Sequence, residues 1–148
     1  MKNRGITYLE LVVVVGILGI LLAVAGFGSN VFSTIKDQRA LDQDIRVIHK
    51  SLVEARNQTI LDGRKRQVLV SGSCMYLQTV TPSGTTTEKI PYHENLRLVT
   101  NTYSSKKLIF YPEGTVSSGG SITFQNKSGT KKTIVVQIGS GRIYWKEG

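Results

Sequence analysis

From Leu11 to Ile35 the chain runs 25 residues without a charged side chain, and apolar residues are densest between Leu11 and Phe27. About 20 apolar residues cross the hydrocarbon layer as a helix, so the run is long enough for a membrane span. Lys2 and Arg4 precede it, which predicts an inside N-terminus and an outside C-terminal part. A removable signal has a shorter apolar stretch, ~7–15 residues, ending at a small-x-small site. Ala23-Val24-Ala25 has that form, but here the apolar run is longer and passes straight into a helical pattern.

Glu10 stands one residue before this run. A carboxylate in a membrane-spanning segment costs roughly 2.5–3.5 kcal/mol and is usually partnered. Two readings follow. Either Glu10 is a boundary charge among lipid headgroups, or it is answered by a cation from another chain or from a newly made N-terminus.

Beyond the run, Leu41, Ile45, Ile48, Leu52 and Ala55 recur at spacings of four and three, one apolar stripe on a 3.6-residue helix. Asp37, Arg39, Asp42, Asp44, Arg46 and Lys50 fall on the other faces, and Gly63 follows Asp62 as a stop. From Ile6 to Leu61 an unbroken helix reaches roughly 84 Å at 1.5 Å per residue. After Gly63 the pattern changes to short alternating runs divided by Gly, Pro and Ser turns. Strands are expected near 67–70, 75–80, 86–90, 96–99, 108–110, 121–125, 133–138 and 142–145, forming an antiparallel sheet that covers the stripe. The fold class expected is therefore α+β. A long N-terminal helix, half transmembrane and half amphipathic, packs on an antiparallel β head.

Composition narrows the chemistry. One cysteine, Cys74, excludes an intrachain disulfide and a Cys-based zinc site. The two histidines, His49 and His93, are far apart, and no nucleophile, phosphate-loop or metalloprotease motif occurs. His93-Glu94 reads as a solvated loop and Cys74 as a small packing residue. No enzyme, cofactor or metal is expected. The net charge is +9, and residues 63–148 hold twelve basic and four acidic side chains, or +8 of it.

The segment Lys2-Asn3-Arg4-Gly5-Ile6-Thr7-Tyr8-Leu9-Glu10, followed by the apolar run, resembles the N-terminus of type IV prepilins and type II secretion pseudopilins. The resemblance implies a cleaved leader at 1–5, a transmembrane half-helix at 6–35, an amphipathic half-helix at 36–62 and a β head at 63–148. It implies prepilin-peptidase cleavage between Gly5 and Ile6, N-methylation of Ile6, and a filament-assembly role for Glu10. Ile6 and Tyr8 replace the family's commoner Phe and Leu. Cleavage creates an α-amino cation at Ile6, and a neighbour's Ile6 amine then offsets the desolvation of Glu10. Such a head-to-tail contact does not close on itself and builds a filament.

Leu52-Val53-Glu54-Ala55-Arg56, Leu108-Ile109-Phe110-Tyr111-Pro112-Glu113-Gly114 and Gly141-Arg142 resemble segments of the GspH/FimT branch. That branch implies a minor pilin or pseudopilin with a structural role, priming or tipping a type IV pilus-like or type II secretion filament. Its partners are other pilins, the processing peptidase and methylase, and the cytoplasmic (inner) membrane, crossed once with the head in the periplasm or at the cell surface. The alternative is a DNA-binding minor pilin for natural transformation. Its candidate contacts are Arg142, Tyr144, Lys146, Lys131 and Lys132, cations with adjacent aromatics. The DNA-binding members carry Gly-Arg-x-Arg, and Tyr144 stands here in place of the second arginine.

Overall fold

A computed structural model describes residues 7–94, 96–103 and 107–148, without the side chains at 25 and 27–31. Helix α1 covers Tyr8–Asp62. The chain divides into two compact units at Lys36/Asp37. Among the described residues the second holds the remainder of α1 and eight strands: β1 Arg66–Val70, β2 Cys74–Thr81, β3 Gly84–Pro91, β4 Arg97–Asn101, β5 Lys107–Phe110, β6 Gly120–Gln125, β7 Lys131–Val136 and β8 Ile143–Glu147.

In the first unit, α1 starts behind Thr7. The Glu10 N–H donates to Thr7 Oγ1 at 3.3 Å and the Leu11 N–H to the Thr7 carbonyl at 3.2 Å. A threonine cap with glutamate three residues on satisfies orphan donors of the first turn and sets a carboxylate at the positive end of the helix dipole. The apolar side chains from Leu11 to Val24 are largely exposed in the single chain. Among the described residues no helix is long and apolar enough to cross a membrane. The expected span at 6–35 includes Ile6 and the side chains at 25 and 27–31, which lie outside the described residues.

In the second unit the stripe is covered. Leu41, Ile45, Ile48, Leu52 and Ala55 are each at most 2% exposed. They form one core with Val68, Val70, Met75, Leu77, Leu108 and Phe110 from one sheet and Ile122, Phe124, Ile134 and Val136 from another. Thr59 continues the stripe, its hydroxyl donating to the Ala55 carbonyl at 2.7 Å, so this buried polar group is satisfied within the helix. Gly63 ends α1 at φ +68°, a left-handed cap that suits glycine, and its N–H bonds the Thr59 carbonyl at 3.1 Å.

Among the described residues all strand pairings are antiparallel, but the expected single sheet is two: β3-β2-β1-β5 and β4-β6-β7-β8. The chain leaves the first sheet after β3, lays β4 against β6, and returns β5 to pair with β1. Alternation of side chains records which face of a strand is buried, not which strand its edge meets. Asp44, expected on a polar face of the helix, is buried instead. The lone Cys74 is buried at the start of β2.

Candidate functional site

Gly5 and Ile6, the expected cleavage and methylation positions, lie outside the described residues. Glu10 is exposed in the first turn of α1 and has no ion pair among the described residues. Its one local compensation is the helix N-terminus described above.

The segments that pointed to the GspH/FimT branch converge in space. Arg56, from the late part of α1, donates through Nε to the Gly114 carbonyl at 3.1 Å and through Nη2 to the Ser140 carbonyl at 2.9 Å. Gly141 is buried at φ +60°. A Cβ there would stand 2.5 Å from the Gly114 carbonyl oxygen and 2.7 Å from Arg56 Nε, so both conformation and space require glycine. Arg56 thus clamps the turn after β5 and the β7–β8 loop to the helix.

Register separates the DNA-contact candidates. Residues directly opposite in an antiparallel pair share a face. Lys131 pairs with Gln125, which pairs with Arg97; Lys146 pairs with Thr133, and Tyr144 with Val135. These side chains occupy the outer face of the second sheet, where Arg97, Lys131 and Lys146 are exposed. The four strands put no carboxylate on that face. Lys132 points the other way. Its side chain is 9% exposed, 2.6 Å from Asp42 and 3.8 Å from Glu147, and 4.6 Å over the Trp145 ring. It is a structural cation of the core side, not a surface one. Arg142 is exposed in the loop preceding β8.

Among the described residues, three side-chain pairings were not announced by the sequence. Asp44 accepts from the His93 backbone N–H at 3.2 Å and bonds the His93 ring Nδ1, so the loop after β3 is tied to α1 rather than freely solvated. The partners are 49 residues apart, and no local pattern announces them. The second is the Lys132–Asp42 pair. Asp62 receives a two-pronged bond from Arg66, at 2.9 and 2.7 Å, and the Arg64 N–H at 2.9 Å. The Arg66 guanidinium, helped by the Arg64 N–H, holds the Asp62 carboxyl at about 2. Asp62 ends α1 and Arg66 opens β1, so the pair bridges the helix–strand junction and no helical spacing announces it.

A family model described as "Type II transport protein GspH" matches residues 44–141. The fold is similar to that of the minor pseudopilin EpsH from the Type 2 Secretion System of Vibrio cholerae. The TM-score is 0.56 at 14% identity, over 69% of this chain and 92% of that one. No curated protein matches by sequence.

Proposed function

The chain belongs to the GspH family of type II transport proteins, pseudopilins that are structural filament components and not enzymes, and on that premise we propose how it is processed and assembled. Prepilin peptidase cuts between Gly5 and Ile6, the new Ile6 amine is methylated, and residues 6–35 hold the subunit in the cytoplasmic membrane with the head outside. The subunit then enters the filament as a minor component through Glu10, priming it or standing at its tip. What carries this reading is the contrast along α1. Val12, Val13, Leu18 and Leu21 are about half exposed while the stripe at 41–55 is covered. Apolar surface left on one half of a helix is stabilised only by lipid or by neighbouring helices.

The test is co-expression of the full chain with prepilin peptidase and the sibling pseudopilins. The expected mature N-terminus is Ile6, and Glu10→Ala is expected to leave a processed, membrane-held subunit missing from sheared filaments. Equal incorporation of Glu10→Ala would overturn the assembly role.

A second reading, DNA binding by the head, is favoured by the acid-free outer face of the second sheet. Arg97, Lys131 and Lys146 there suit phosphates, and Tyr144 offers a ring for stacking. Binding of DNA by the detergent-solubilised full chain, titrated over salt, tests it. Lys131→Ala/Lys146→Ala is expected to weaken binding and to flatten the salt slope by about two, close to one for each phosphate no longer neutralised. Binding indifferent to both substitutions ends this reading.

A further inference from the structure

Among the described residues the two sheets end on four edge strands, β3 and β5 in one, β4 and β8 in the other. Natural sheets protect their edges, because a row of open N–H and C=O groups pairs with any extended chain. Three of the four follow that rule. The segment after β5 folds back on it: the Ser117 N–H donates to the Ile109 carbonyl at 2.9 Å, and the Ile109 N–H to Ser117 Oγ at 3.2 Å. The register of β4 shifts between Leu98 and Thr100, an irregularity that interrupts an edge. On β8 the Ile143 carbonyl accepts from His49 Nε2 of α1 at 3.2 Å. Strand β3 has no such device. Its eight residues pair with β2 without a break, and all but Ile90 are exposed. The turn closes on Thr81 and Gly84, while the Val80 N–H donates to the Lys65 carbonyl on the β1 side. Alternation then gives the backbone groups of Thr86, Glu88 and Ile90 to β2 and turns those of Thr85, Thr87 and Lys89 outward. The outward groups have no partner among the described residues.

Beside this edge lies a cleft whose walls include Ser51, Glu54 and Gln58 of α1 and Glu88 and Ile90 of β3. Glu88 stands opposite Leu77 of the core, so its side chain is on the helix side of the sheet. Among the described residues neither Glu54 nor Glu88 has an ion pair, and no cation lines the cleft. Its volume is about 90 Å³. Small-molecule pockets run to roughly 300–1,000 Å³, so this one takes the end of a single side chain.

We propose that β3 receives an extended segment of another polypeptide as a fifth strand, antiparallel like its neighbours, with a Lys or Arg side chain entering the cleft beside Glu54 and Glu88. Backbone bonds to Thr85, Thr87 and Lys89 supply the affinity, and the two carboxylates select the segment. In an antiparallel pair the residues that bond these three point their side chains away from the cleft, and the alternate residues point toward it. The segment recognised is therefore basic at every second position. Duplex DNA has no strand to add, and its phosphates would meet carboxylates. The site uses neither Glu10 nor the outer face of the second sheet, so its failure leaves both functional readings standing.

The probe is a short synthetic peptide alternating Val and Lys, added to the detergent-solubilised full chain. It is expected to protect the amide hydrogens of Thr85, Thr87 and Lys89 from exchange, while those of Thr86, Glu88 and Ile90, already bonded to β2, stay unchanged. N-methylation of the Val residues, whose N–H groups face β3, should abolish that protection, and N-methylation of the Lys residues should keep it. Thr87→Pro removes one outward N–H and none of the bonds to β2. It should weaken binding at least about fivefold, roughly the loss of one backbone hydrogen bond, while Thr87→Val leaves binding intact. Glu54→Gln/Glu88→Gln should weaken the Lys peptide about fivefold and leave a Val/Thr peptide unaffected. Binding without protection of the three outward amides overturns the proposal, as does binding indifferent to Val methylation or to the two glutamates. Protection of the same amides without peptide, growing with protein concentration, makes the occupant a second copy and also overturns it.

Discussion

The two halves of α1 are built from the same kinds of side chain and treat them oppositely. Leu41, Ile45, Ile48 and Leu52 are 0–2% exposed, whereas Leu11, Val13, Leu18 and Leu21 are 51–59% exposed in the single chain. The C-terminal half carries apolar residues on one stripe and charges elsewhere, so one folded partner of its own chain is sufficient. The N-terminal half is apolar all round, and a helix of that kind is stable only inside a bilayer or a bundle. One half therefore folds the head, and in the function proposed above the other places the subunit among neighbours.

That comparison breaks most sharply at Glu10. Glu10→Gln keeps the side chain's size and its place behind the Thr7 cap but removes the charge. It is expected to abolish filament incorporation while the head's melting temperature is unchanged. A head that melts lower would mean that Glu10 serves the fold. Next in size, Leu52→Ala should cost about 2–5 kcal/mol in denaturant unfolding, because the emptied site lies between the helix and both sheets.

The clamp gives intermediate effects. Gly141→Ala forces a side chain into a left-handed position against the Gly114 carbonyl and should cost about 1–3 kcal/mol. Arg56→Met keeps the aliphatic stem and loses two hydrogen bonds to carbonyls, again about 1–3 kcal/mol. The double variant should cost less than the sum, since both changes free the same loop.

Asp62 yields a smaller, pH-dependent effect. Its carboxyl is held below the ordinary 3.8, at about 2, so the folded state binds the proton less well than the unfolded one. The stabilisation is present above pH 3.8 and disappears as pH falls toward 2. Asp62→Asn should remove that part of the acid sensitivity, seen as a flatter dependence of the melting temperature on pH over this window. Smallest of all, Leu18→Ala should change head stability by no more than about 0.5 kcal/mol, as surface changes do. A larger loss would show that the two halves are not energetically separate.

Much of this was legible in one dimension because it is local. The stripe at 41–55 follows from helical period, and the eight strands from alternation and turn chemistry, with bounds within a few residues. Arg56 and Gly141 were visible only as family-like fragments. That one holds the loop before the other depends on a bond across 84 positions. Asp44 read as solvent-facing because helical period puts it off the apolar stripe, and its burial comes from a loop that folds over it. Lys131 and Lys132 are neighbours of identical type, and strand pairing sends one to solvent and the other beneath Trp145.

By itself, then, the sequence determined the long helix, its division into an all-round apolar half and a one-sided half, the strand content of the head and the excess positive charge of residues 63–148. These are properties of periods and runs, set by residues within a few positions of each other. Tertiary structure alone decided that the strands form two sheets, that Arg56 clamps two distant turns, and which cations face outward. Edge pairing and side-chain placement are selected by the burial of one shared core, and no short window of residues contains that information.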